Sequence, residues 1–251
     1  MARLPRSAVP DLVPDPSWQP LYRVGAVAAG LAVVLYVVAL VLFVVTPAPP
    51  PPSSGGAAML EHVVSNRSAY VAKQVLWVAP NLLMIIIVLA IAVALAQVNK
   101  SYALTAGVIA VASWAVGFAW PTTGEGSLAM VVLSDRFVEA AMDAERVATV
   151  AGAELLLALN DLPAVVLGVL QTLGILLLAG LMTRGVFPKG LAWLGGVTGA
   201  IGIVAEALRP WLGWAYAVYG LLLFGWLIWV AVALGRLGSQ TAPRVSSGAA
   251  M

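Results

Sequence analysis

His62, Asn66, Tyr70, Lys73, Trp77 and Asn81 follow one another at steps of four, four, three, four and four, the spacing that places side chains on one face of an α-helix. An imidazole, two amides, a phenol, an amine and an indole on one stripe can hold a small polar ligand or an ion. Glu154, Asn160 and Asp161 stand ahead of one apolar run, and Glu206 and Arg209 close another. Brought to the same end of a bundle, the two sets would line a polar cavity. His62 and the carboxylates Glu154, Asp161 and Glu206 are also the groups that acid–base chemistry would use. Blander roles compete with both ideas. Glu206 and Arg209 are three apart and can pair with each other, and a single histidine on a helix is more often a packing or surface residue. The chain contains no GxSxG, P-loop, HExxH, GxGxxG or CxxC pattern. It has no cysteine and one histidine, which excludes disulfides, thiolate metal sites and paired-histidine haem ligation within the chain. No metal or cofactor is expected.

The elements that must position these residues follow from composition. Of 251 residues, 62% are hydrophobic and 10% charged, with a mean hydropathy of +0.99. A soluble chain carries about a quarter charged residues. The runs from Val24 to Val45 and from Leu82 to Ala96 contain no charged residue, and the first is long enough to cross a hydrocarbon core about 30 Å thick at about 1.5 Å per residue. The expected fold is an all-α, polytopic membrane helical bundle. Its six spans fall at about 21–46, 74–98, 102–120, 162–182, 191–208 and 211–237, with a proline-rich lead at 1–20 and a polar tail at 238–251. A cleaved signal peptide is the rival reading of the first run, but that run exceeds the usual h-region of about 7–15 residues, which favours an uncleaved span.

Between the first two spans, the PAPPPPSSGG connector is stiff and then flexible. One long helix is expected from about Leu60, entering the membrane near Gln74 and ending near Val98, with a kink at Pro80. From 128 to 160, Asp135, Arg136, Glu139, Asp143, Glu145, Arg146 and Glu154 recur at helical spacing, as on an amphipathic surface helix. Pro163 suits the first turn of the fourth span.

Lysine and arginine are retained on the cytoplasmic side. With the N-terminus inside, Arg3, Arg6, Arg23, Lys100, Arg184, Lys189, Arg236 and Arg244 are cytoplasmic, and Arg67, Lys73, Arg136, Arg146 and Arg209 are not. The count of eight against five puts segments 47–73 and 121–161 outside and both termini inside. The basic residues are scattered, so no nucleic-acid partner is expected. Asn66-Arg67-Ser68 matches a glycosylation sequon, a pattern common by chance. Gly195, Gly199 and Gly202 are spaced for close helix contact. Trp18, Trp77, Trp120, Trp193, Trp211 and Trp214 fall near span ends, where indoles anchor a bundle at the headgroups.

The stretch from Gly174 to Gly202, through Gly180, Arg184, Pro188, Leu191, Leu194 and Gly195, resembles a large bacterial family of six-span integral membrane proteins catalogued as a domain of unknown function. The resemblance implies architecture and a cell membrane location, and it brings no catalytic residues. The proline-rich lead and the PAPPPPSSGG connector depart from it. The leading functional expectation is a non-enzymatic protein whose partners are the bilayer and a small ligand, lipid or membrane protein on the outer face. A small transporter and an intramembrane enzyme are the alternatives. The first would need a polar path and usually internal repeats, and the second carboxylates that converge.

Overall fold

The computed structural model describes residues 15–120, 122–123, 126–209, 211 and 213–239. Most of the proline-rich lead and the tail from 240 onward, with Arg3, Arg6 and Arg244, lie outside the described residues. Among the described residues, eight α-helices run in chain order: α1 (Gln19–Val45), α2 (Gly55–Ser65), α3 (Arg67–Leu95), α4 (Lys100–Ala119), α5 (Ala129–Glu139), α6 (Asp143–Met182), α7 (Lys189–Ala207) and α8 (Gly213–Ser239). Six of them, all but α2 and α5, are long and apolar enough to cross a membrane. The protein is an all-α, multi-pass membrane bundle.

The six long helices close into a ring. α1 packs on α3, α3 on α4, α4 on α6, α6 on α7, α7 on α8, and α8 returns to α1. Their outward residues are apolar, Val27, Val44, Leu104 and Leu221 among them, as a lipid-facing surface requires. At one end of the ring the links are short. Asn99 accepts a hydrogen bond from the Tyr102 amide at 3.0 Å and so caps α4, while Pro188 precedes α7. Arg23 Nε donates to the Gly238 carbonyl at 2.7 Å, tying the start of α1 to the end of α8 at this same end.

Close approach sets the packing, because lipid tails give apolar helices no hydrophobic reason to associate. α1 meets its neighbours through Ala28, Ala29, Ala32 and Ala39, all buried. On α7, a Cβ at Gly195 would lie 2.6 Å from Trp226 Nε1, one at Gly199 2.7 Å from Leu176, and one at Gly202 2.5 Å from Thr172. Those glycines let α7 touch α6 and α8 backbone-close.

The opposite end carries a cap. α2, α5 and the first turns of α6 enclose a second small core of Met59, Leu60, Val63, Tyr70, Met130, Phe137 and Ala153. A two-residue pairing of Thr122–Thr123 with Gly126–Ser127 joins it to the ring. Gly126 adopts φ +116°, and a Cβ there would lie 2.7 Å from the Tyr70 hydroxyl, so the turn needs glycine. Arg67 grips Asp135 of α5 in a two-pronged ion pair whose second arm measures 3.0 Å. The hydrogen bond from Arg67, ahead of their charge attraction, holds the Asp135 carboxyl below its ordinary pKa. That contribution to stability is present above the usual carboxylate range and is lost as pH falls through the lowered value.

Two expectations about continuity are corrected. The helix expected to run unbroken from Leu60 to Val98 breaks at Asn66, where the backbone leaves helical geometry at φ −126°, ψ 27°. The Asn66 amide donates to the His62 carbonyl at 3.1 Å, a local bond of the kind by which asparagine competes with the helical ladder. Conversely, the polar stretch 128–160 is not one surface helix. It is interrupted at 140–142, and α6 then runs through to Met182 without a break, so Pro163 lies inside a 40-residue helix instead of in its first turn. Pro80 lies inside α3 as expected, where its missing N–H removes a bond to the Leu76 carbonyl.

The glycine contacts predict a contrast. Gly199→Leu should destabilise by about 1–3 kcal/mol through overpacking. Gly196→Leu, where an added Cβ meets nothing within 4 Å, should be tolerated. Thermal unfolding of the detergent-solubilised variants distinguishes them, and equal effects would contradict this packing.

Candidate functional site

A cavity of about 130 Å³ opens at the cap end of the ring, and all six spanning helices contribute to it. A single buried water needs about 10–15 Å³ by this measure, so several waters or a small organic molecule fit. Its polar groups are Asn81 on α3, Gln171 on α6, Glu206 at the end of α7, Arg209 just beyond it, and Thr123 in the turn that joins the cap. Its aromatic groups are Tyr36 on α1, Trp77 on α3, Trp114 on α4, and Tyr216, Tyr219 and Phe224 on α8.

The rings form a connected wall. Tyr36 meets Trp77 edge to face at 5.7 Å between centroids and lies 6.1 Å from Phe224, while Tyr216 and Tyr219 meet edge to face at 5.9 Å. The Arg209 guanidinium sits 4.7 Å over the Tyr216 ring, within the usual range of a cation–π contact.

Glu206 is the least expected group in this setting. It is 5% exposed, and its Oε2 is fully buried without a hydrogen-bond partner among the described residues. It also lies in the last turn of α7, where the negative end of the helix dipole disfavours a carboxylate. A charge at the centre of a spanning helix costs about 2.5–3.5 kcal/mol on insertion scales, and a buried acceptor without a donor carries a cost of its own. Glycine makes the room: a Cβ on Gly168 of α6 would overlap the Glu206 carboxyl. Likewise a Cβ on Gly117 of α4 would stand 3.0 Å from the Gln171 amide and 3.4 Å from that of Asn81. Two glycines are thus matched to three polar side chains on other helices.

The residues read from the sequence divide. Trp77, Asn81, Glu206 and Arg209 line the cavity. The break at Asn66 separates His62 and Asn66 from them, while Tyr70 and Lys73 share α3 with Trp77 and Asn81 but pack elsewhere. His62 and Asn66 sit together at the end of α2, and Tyr70 is fully buried in the cap core with its hydroxyl donating to the Ser127 carbonyl at 3.0 Å. Lys73 is 7% exposed, with its ammonium 5.9 Å over the Phe43 ring of α1. Glu154 turns to the start of α2, where its Oε1 accepts from the Gly56 amide at 3.5 Å and meets the positive end of that helix. Asn160 and Asp161 are on α6, with side chains outside the described residues. Of the tryptophans, Trp18, Trp120, Trp193, Trp211 and Trp214 are exposed near helix ends, whereas Trp77 is a cavity residue.

Tyr36, Trp114, Gln171, Tyr216 and Tyr219 were not singled out from the sequence. Gln171 carried a readable signal, being an uncharged amide in the middle of an apolar run. The tyrosines carried a weaker one, since Tyr216 and Tyr219 share a helix face but an aromatic pair in a span is ordinarily core.

No protein-family model matches the chain, and neither a curated protein nor a solved structure does.

The unmet carboxylate and its matching glycine make opposite predictions. Glu206→Gln should leave stability unchanged or raise it by on the order of 1 kcal/mol, because it removes a buried charge that lacks a full set of partners. Gly168→Ala should lower it by about 1–3 kcal/mol through the clash with Glu206. Thermal midpoints in detergent measure both, and a marked loss of stability in Glu206→Gln would make the carboxylate a structural group.

Proposed function

We propose that this chain is a non-enzymatic cell membrane protein that binds a small polar ligand in the cavity at the cap end of its helix ring. The observation that carries the reading is Glu206: a buried carboxyl group, unfavourably placed at the end of its own helix, in the wall of a cavity lined by all six spans. Proteins retain such a group against its cost where it contacts something.

Binding is favoured over acid–base catalysis because, among the described residues, Glu206 is the single carboxylate lining the cavity. Glu154 is engaged at the start of α2 and does not join it. Binding is favoured over transport because the ring interior beyond the cavity is filled by one apolar cluster that includes Met84, Ile91, Leu178, Trp226 and Leu234. A polar path to the other end would have to displace it.

The cap end is assigned to the outside and the end carrying Arg23, Lys100, Arg184, Lys189 and Arg236 to the cytoplasm. The distribution of basic residues and the even number of spans support that orientation, with both termini inside. The resemblance to bacterial six-span proteins is in keeping with a plasma or inner membrane.

Two measurements test the reading. The chain has no cysteine, so Ser53→Cys in the cap and Ser101→Cys at the other end can each be labelled alone. In intact cells a membrane-impermeant maleimide should label the first and spare the second, and the reverse pattern would invert the topology. For binding, a panel of small ammonium, carboxylate and polyol compounds is added to purified protein. At least one should raise the thermal midpoint saturably, by about 2.7 kcal/mol of stabilisation at a hundredfold excess over Kd. Gly220→Leu should abolish the response, since Gly220 lines the cavity and an added Cβ there meets nothing within 4 Å. No response from any compound, or an undiminished response in Gly220→Leu, defeats the proposal.

A further inference from the structure

We infer that the end of the ring opposite the cap carries a docking site for the headgroup of an anionic phospholipid, built by Lys100, Arg184 and Lys189. The inference is independent of the cavity and of which leaflet this end faces.

The three cations come from two links that the fold packs together. The turn between α6 and α7 lies on the link between α3 and α4: a Cβ at Gly185 would stand 2.7 Å from a Leu95 methyl and 3.3 Å from one of Val98. Phe187, 5% exposed within the main core, pins that turn to the ring. Arg184 directly precedes Gly185 and Lys100 follows Val98 by two residues, so both long side chains start beside this contact. Lys189 opens α7 at the end of the same turn, and all three residues are exposed.

Among the described residues, no carboxylate pairs with Lys100, Arg184 or Lys189. By sequence, the acidic residues of this end are Asp11 and Asp15, both ahead of α1, and the Asp15 carboxylate accepts from the Ser17 amide at 2.9 Å. Nor do the two lysines serve their own helices. Each is the first residue of its helix, where the dipole disfavours a cation.

Depth selects a lipid as the source of the anion. Tyr102, two residues beyond Lys100, is 44% exposed, and Trp193, four beyond Lys189, is 72% exposed. Such rings at span ends lie at the headgroup level. At about 1.5 Å per residue the lysines then stand about 3 and 6 Å further out, among the phosphates. The Arg184 guanidinium can take two phosphate oxygens at once. A zwitterionic lipid brings its own ammonium beside the phosphate, so the unpaired cations favour a lipid of net negative charge, by about fivefold for each lysine or arginine near the surface.

The test uses the full chain in phosphatidylcholine vesicles, with a fluorophore on Ser101→Cys in a chain that has no other cysteine. Nitroxide-labelled phosphatidylglycerol or nitroxide-labelled phosphatidylcholine is added at matched mole fractions. Phosphatidylglycerol should quench at a mole fraction at least tenfold lower. Joint replacement by Lys100→Gln, Arg184→Gln and Lys189→Gln should bring the two lipids level with a parent-like thermal midpoint, which separates lost docking from lost fold. If the triple variant does not fold, the three single variants carry the test, each lowering the preference. Arg236→Gln, on α8 at the same end, should leave it unchanged. Equal quenching by the two lipids in the parent, a preference that survives the replacements, or one that Arg236→Gln reduces as far overturns the inference. If millimolar inorganic phosphate abolishes the preference at constant ionic strength, the site takes a free anion and the lipid assignment is wrong.

Discussion

The structure depends on how closely α7 can approach its neighbours. In hydrocarbon, a helix gains little by turning a leucine from lipid toward another helix, so association rests on contact at short range and on polar groups that find partners. Gly195, Gly199 and Gly202 supply that contact, with Trp226, Leu176 and Thr172 standing where a side chain would otherwise be. Glu206 follows Gly202 by four residues and so continues the same stripe. The face that seals α7 against α6 is thus also the face that presents the carboxylate, and Gly168 on α6 provides the recess for it. Packing and site share a single helix pair.

This coupling explains why the cavity is confined to one end. From Gly195 to Gly202 the α6–α7 seam is closed by small residues against apolar and threonine side chains. One turn further it widens, and the ring fills with longer polar and aromatic groups instead of alanine and leucine. Thr172 bonds back to the Gly168 carbonyl at 2.9 Å, so its hydroxyl is satisfied within α6 and remains available as a packing surface. The transition from sealed seam to open cavity takes place over a single turn on each helix, between Thr172 and Gly168 on α6 and between Gly202 and Glu206 on α7.

The six spans were legible because length and apolarity are nearly sufficient in a membrane: a chain in lipid must satisfy its backbone internally, and a helix does so without reference to its neighbours. Where the chain leaves lipid, that constraint relaxes, and there the reading failed. Asn66 breaks α2 from α3 although the spacing from His62 to Asn81 is helical throughout, since side-chain periodicity does not register a local amide–carbonyl bond. The same relaxation let α6 absorb a stretch that looked like a separate surface helix. Within the site, charges were easy to find and tyrosines were not. Glu206 and Arg209 are anomalous in an apolar run wherever they point, whereas Tyr36 and Tyr219 acquire meaning only once the ring closes around them.

The break at Asn66 also alters what the polar stripe can be. Had the helix continued, His62 would have extended the polar face of α3 outward. Instead α2 folds back on α5 and α6, and Tyr70 turns to hold the Ser127 carbonyl. Its hydroxyl fixes the turn whose neighbouring residue, Thr123, reaches the cavity. The outer half of the stripe therefore serves the cavity indirectly, by holding the cap against the ring. The inner half, Trp77 and Asn81, serves it directly. Pro80 lies between these two, so the residue of α3 that lacks a backbone N–H adjoins its two cavity side chains.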